Sequence, residues 1–262
     1  MPQFTAISRD HFAGKKWQRS SGYGFAATSA LVPIVRAELA AAALAVPLAL
    51  LQQGARFTLV AILSLTPGQN MLVGPDGRWL ANYIPAYFRA YPFSLLPQQG
   101  TDQLVLCIDA NSGLVGDPGS AGEDFFDQDG KLSLALQKVL DFLGGLERSR
   151  KDTDVALSAL DEASVIRPWP ITVRTGQDER PLAGLHRIDE AALNALTDDA
   201  FLKLRKASAL PIAYAQLMSM GRLAMFEELA KLHARLTPAL PAALPESLDS
   251  VFELPSGETI KF

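Results

Sequence analysis

Fifteen residues, Trp79 to Phe93, read WLANYIPAYFRAYPF and hold six aromatic side chains and two prolines. Rings at that density have to pack against something, so this stretch constrains the fold more than any other. Pro85 suits the first position of a short helix, where its missing N–H costs nothing. Pro92 bars continuation and drives Tyr91 toward an extended conformation. The spacing predicts one or two turns over Ala86 to Ala90, with Tyr87 and Tyr91 near one face, Phe88 elsewhere and Arg89 as the single charge. Two readings follow. One is an aromatic-walled site with a cationic anchor; the other is a core plug whose Arg meets a buried carboxyl or carbonyl group, the commoner use of clustered rings.

The rest of the chain sets limits on what that segment can serve. A chain of 262 residues can bury a large core as one domain or as two interlocked halves. Its 24 Lys and Arg against 28 Asp and Glu give a net charge of -4, and the positive residues are scattered, which argues against a nucleic-acid partner. Hydrophobic residues at 48% with 20% charged are those of a folded protein. The lone Cys107 sits in LVLCID and reads as buried packing in a strand. The N-terminus MPQFTAISRDHFAGKKW has no apolar core of the Sec type, so cytoplasmic residence is the expectation. Leu39 to Leu51 is the most apolar run, too short for the roughly 20 residues of a membrane span, and is read as a buried helix that Pro47 ends.

The expected fold class is α+β: a buried mixed or antiparallel sheet in the N-terminal half with amphipathic helices, followed by a mainly helical C-terminal portion. Residues 1–165 form the α+β portion with the aromatic segment, 166–236 a strand and helices packed on it, and 237–262 a Pro-rich tail with a terminal hairpin or docking strand. Phe57 to Leu65 and Leu104 to Ile108 are continuous apolar runs suited to buried strands. A short strand is expected over Met71 to Val73, between two turn sequences. Leu132, Leu136, Val139, Leu140 and Leu143 line one helix face that Gly144-Gly145 should stop, with a second helix over Asp154 to Ala163. Asp189 and Thr197 are placed as N-caps. Pro211 should open the longest helix, with Glu227 paired to Lys231.

Few residues carry a chemical signature. The three histidines, His11, His186 and His233, stand too far apart for a local metal motif, so no metal site is expected. Asp127-Gln128-Asp129-Gly130 echoes a calcium loop, but in that register Phe125 and Leu136 fall where carboxylates are required. Walker, Rossmann and nucleophile-elbow patterns are missing, and no cofactor is expected. Asp109, at the carboxyl end of a buried strand, is either a functional group or a turn former. A meeting of Asp109 with Arg89 would fix the geometry of the aromatic cluster.

The order of VPIVRAELAAAALAVPLAL, LSLTPGQNMLVGPDGRWLANYIPAYFRAYPF, LVLCID and GLHRIDEAALNALTDDAFLKL resembles the SapC family of bacterial surface-layer-associated proteins. The peptide-transport permease of the same label is a different protein, since a permease needs several membrane spans. The resemblance implies an accessory role in a surface-layer or outer-membrane uptake system and supplies no catalytic residues. If such a protein acts outside the cell, it must leave by a route other than Sec.

The favoured function is a non-catalytic accessory or binding protein whose partner is a protein, peptide or glycan linked to the cell surface. Its binding residues would be Arg89, Tyr83, Tyr87, Tyr91 and Asp109. The alternative is an enzyme, or an enzyme's obligate subunit, working near Asp109 or His186 in a site walled by the three tyrosines.

Overall fold

The computed structural model describes residues 3–98, 100, 101, 103–175 and 178–236, with the side chains of 173–181 left aside. The tail 237–262 and its expected hairpin lie outside the described residues, as do Gly176 and Gln177 of the expected polar turn. Strand β1 (Phe4–Ala6), helix α1 (Arg9–Phe12), and strands β2 (Lys16–Trp17) and β3 (Leu31–Pro33) lead into α2 (Leu39–Ala45). Pro47 then divides the apolar run. The helix ends before it, but Leu48 to Leu51 do not continue as helix: they begin β4 (Leu48–Gln53), which hairpins onto β5 (Arg56–Ile62). The end of the helix at Pro47 is as expected; that the residues beyond it form a strand has a tertiary cause, since an apolar run this short satisfies either period and the pairing with β5 decides.

After the hairpin come α3 (Ala86–Arg89), β6 (Phe93–Pro97), β7 (Leu104–Asp109), β8 (Val115–Gly116) and β9 (Glu123–Asp124). Met71 to Val73 is not a strand; Asn70, with its side chain bonded to Ala26 O and Leu72 N, turns the chain there, and only an isolated bridge joins Val73 to Trp79. Helix α4 (Leu134–Glu162) runs 29 residues straight through Gly144-Gly145, where two helices were expected. A glycine inside a helix costs about 1 kcal/mol relative to Ala, less than the packing of both halves returns. Leu136 and Leu143 enter one apolar core, while Ala156, Leu157 and Leu160 enter another.

The chain continues through β10 (Ile166–Pro168), β11 (Ile171–Thr175), β12 (Asp178–Leu182), β13 (Leu185–Ile188), α5 (Glu190–Asn194), α6 (Asp198–Lys206), α7 (Leu210–Ser219) and α8 (Met225–Leu236). Asp189 caps α5 through Ala192 N, and Thr197 caps α6 through Ala200 N. The expected long helix from Pro211 is broken: a 3-10 stretch over Met220–Ala224, around Gly221, separates α7 from α8. Lys231 pairs with Glu228 at 2.7 Å rather than with Glu227.

The fold is α+β, with antiparallel sheets in the N-terminal half and a helical C-terminus. One sheet has the order β10-β13-β4-β5-β3, a second β1-β7-β6, a third β8-β2-β9, and β11 pairs with β12. The first core is built on β4 and β5, with Ile188, Ile212 and the end of α4. Buried Gln216 ties α7 to this sheet by accepting from Ile188 N and donating to Leu48 O. The second core gathers Phe12, Trp17, Phe93, Ile108, Phe125 and Leu136. No described helix is long and apolar enough to cross a membrane.

Candidate functional site

The aromatic segment lies at the seam between the two cores. Trp79 Nε1 donates to Tyr83 O at 2.7 Å, fixing the approach to Pro85, which stands as the N-cap of α3 rather than inside it. Phe88 N and Arg89 N both donate to Pro85 O, closing a single turn. Phe88 is buried in the first core, whereas Ala90 and Phe93 belong to the second. The rings interlock beyond the segment. Phe25 stacks on Tyr91 at 3.8 Å between centroids and 10° between planes, and Trp17 meets Phe93 edge-on at 4.7 Å. Such contacts add about 0.5–1.5 kcal/mol each beyond area burial.

A buried carboxyl group holds this segment in place. Glu38, 5% exposed at the start of α2, accepts from Val35 N at 3.2 Å, from Ala86 N at 2.6 Å and from the Tyr83 hydroxyl. Burial, and then the hydrogen bond to Glu38, raise the Tyr83 phenol well above its ordinary range, while nearby Arg89 pulls the other way. Sequence reasoning missed Glu38 as a site residue. The one available signal was its position as a lone charge before thirteen apolar residues.

Arg89 does not meet a carboxyl group among the described residues. Its Nε donates to Ile84 O at 3.1 Å, and its guanidinium sits 5.9 Å from the Tyr83 ring and 5.2 Å from that of Phe142. The carbonyl form of the expected core plug is therefore the one found, with the charge itself left exposed. Tyr87 is 54% exposed, its ring meeting that of Phe88 edge-on at 6.2 Å, while Tyr91 is half-buried.

Two clefts open on either side of this wall. The larger, about 950 Å³, runs along β6 from Phe93 to Pro97 and is bordered by Tyr87, Tyr91, Asp109, Glu147 and Arg150. The smaller, about 470 Å³, carries Arg19, Arg89 and Lys138 among aromatic side chains. Phe25, Phe88, Ala90, Tyr91 and Phe93 line both, so the Phe25–Tyr91 stack is part of the partition. Arg150 donates to both oxygens of Glu147 and to Asp154, each at 2.7 Å, which holds the Glu147 carboxyl below the usual range.

The five expected binding residues are thus divided. Tyr87, Tyr91 and Asp109 share the larger cleft, Arg89 lines the smaller, and Tyr83 lines neither and serves Glu38. Asp109 accepts from Gln3 N at 2.8 Å and Asn111 N at 3.1 Å, a turn-forming role. Burial, with Asp109 nearby, raises the Tyr91 phenol. His186 is not brought to either cleft; it lies on β13 against Phe57 at 5.1 Å, with Nδ1 buried and unpartnered among the described residues. His233 Nε2 contacts Met71 O at 2.8 Å, and His11 Nδ1 contacts Ser8 Oγ at 2.9 Å. No three His, Cys, Asp or Glu among the described residues are grouped to hold a metal ion.

The aromatic segment and, apart from β1, the strands of the sheets around it fall within residues 7–225, the stretch that matches the SapC family model. The chain belongs to the SapC family. No curated protein and no solved structure matches it. Both clefts are lined largely by residues inside the matched region, so the site described above lies in the part of the chain that SapC-family membership covers.

Proposed function

We propose that this SapC-family chain is a non-catalytic accessory protein that recognises an extended peptide segment of a partner along the larger cleft. In keeping with the family resemblance, the partner belongs to a surface-layer or outer-membrane uptake system. The observation that carries the reading is an edge strand facing an open cleft. β6 pairs with β7 on one side and with no strand on the other among the described residues. Pro92 O and Gln98 N bond across to β7 and its extension, so by the alternation of an antiparallel ladder the Leu95 N–H and C=O point outward. An added strand would satisfy those groups, with alternate side chains meeting Tyr87 and Tyr91.

The acids at the site support binding over catalysis, because each already has a structural task. Glu38 accepts from three donors, and Asp109 holds two backbone amides. The test is a photo-crosslinking amino acid at position 87, compared with position 151, in the native host. Position 87 is expected to capture a polypeptide that position 151 does not. Capture of a glycan at position 87, or identical adducts at both positions, would overturn the peptide reading.

A further inference from the structure

The smaller cleft differs from the larger in charge. Arg19, Arg89 and Lys138 line it, no carboxyl group does, and none of the three forms an ion pair with a described acid. In a chain of net charge -4 that grouping runs against the average. Three unopposed cations over low-dielectric walls focus a positive potential into the cleft. The walls are rings: Arg19 lies 6.0 Å from the Trp17 ring and Arg89 5.2 Å from that of Phe142, with Tyr23 and Phe25 completing the lining. Arg19 makes no hydrogen bond to a described residue, and Arg89, whose Nε is given to Ile84 O, has its two terminal nitrogens left for a carboxylate.

Trp17 adds a separate observation. Its ring lines this cleft, and its Nε1 is buried with no acceptor among the described residues. A buried donor left unmet costs about 1–3 kcal/mol. The atom is closed to solvent in this conformation, so an acceptor reaches it only with a shift of the ring edge. A ligand oxygen is the kind of group that would gain from that shift.

We infer that the smaller cleft is a binding site for an aromatic carboxylate, a planar ring whose acid group meets Arg19, Arg89 and Lys138. Its volume of about 470 Å³ suits one small molecule, being within the roughly 300–1,000 Å³ of ligand clefts. Phosphate alone would use the cations and leave the rings idle; a neutral ring would do the reverse. The site does not depend on the peptide reading, since Arg19, Arg89, Lys138 and Trp17 do not line the larger cleft.

Calorimetry on the full chain tests this with naphthoate, its neutral primary amide and inorganic phosphate as probes. Naphthoate is expected to bind, with the amide and phosphate each about tenfold weaker or more, a factor equal to about 1.4 kcal/mol. Lys138→Met and Arg19→Met keep an apolar stem and should each weaken naphthoate by about twofold to fivefold, the scale of one solvent-exposed ion pair. Lys151→Met should leave it unchanged. Lys138 is exposed and makes no ion pair with a described acid, so its replacement is compatible with folding, to be verified by the urea midpoint. Equal affinity for acid and amide, phosphate binding as tight as naphthoate, no naphthoate binding at millimolar concentration, or indifference to both substitutions would overturn the assignment.

Discussion

Glu38→Ala removes a carboxyl group that fastens the aromatic segment to the start of α2. Its oxygens serve Val35 N, Ala86 N and the Tyr83 hydroxyl. The two backbone donors are enclosed and lose their acceptor, at about 1–3 kcal/mol each. The half-buried Tyr83 hydroxyl can turn toward water, so little is added for it. The expected loss is about 2–6 kcal/mol, a large share of the roughly 5–15 kcal/mol that stabilises a typical domain. With a urea slope of about 2–3 kcal/mol per molar, the midpoint followed by far-UV circular dichroism should fall by about 0.7–3 M. Glu38→Gln keeps one acceptor oxygen but sets an NH2 against a donor, so it should fall between wild type and Glu38→Ala. A midpoint for Glu38→Ala within about 0.3 M of wild type would refute the reasoning and mean that the donors find other partners.

Two further outcomes follow from the same region. Phe93 is 5% exposed in the second core, so Phe93→Ala should cost about 3–5 kcal/mol in a urea titration, and an unchanged midpoint would show that the segment is not packed as described. The Tyr83 phenol is raised in the folded protein, so the neutral form is favoured there; its contribution is fully present below the ordinary phenol value of 10.0 and is lost as pH rises beyond it. Stability should therefore fall with pH above that value, less steeply in Tyr83→Phe, where the part of the slope from Tyr91 remains; identical slopes in the two proteins would contradict the assignment.

Local signals were legible in the sequence and distant pairings were not. The turn of α3 was set by Pro85 and Pro92, and the caps Asp189 and Thr197 by side chains that bond within three residues. Glu38 was hidden because two of its three partners, those in the aromatic segment, stand 45 and 48 positions away. The cationic cleft was hidden for the same reason: Arg19, Arg89 and Lys138 come from three separate parts of the chain and none is unusual alone. Gly144-Gly145 misled because the local cost of glycine in a helix is small beside the two cores that α4 spans. Composition alone did not separate Tyr87 from the packed rings of its segment; its place on the one turn of α3 leaves it exposed.

Hydrogen exchange at the Leu95 amide tests the central claim most directly. Leu95 sits mid-strand in β6, and its N–H faces the larger cleft instead of β7. Binding of the polypeptide segment captured at position 87 should slow exchange of that amide by about tenfold or more, as an outward donor acquires a strand partner. The Val105 amide, already paired within the sheet, should change far less. Saturating segment with no change at Leu95 would contradict recognition by strand addition along β6.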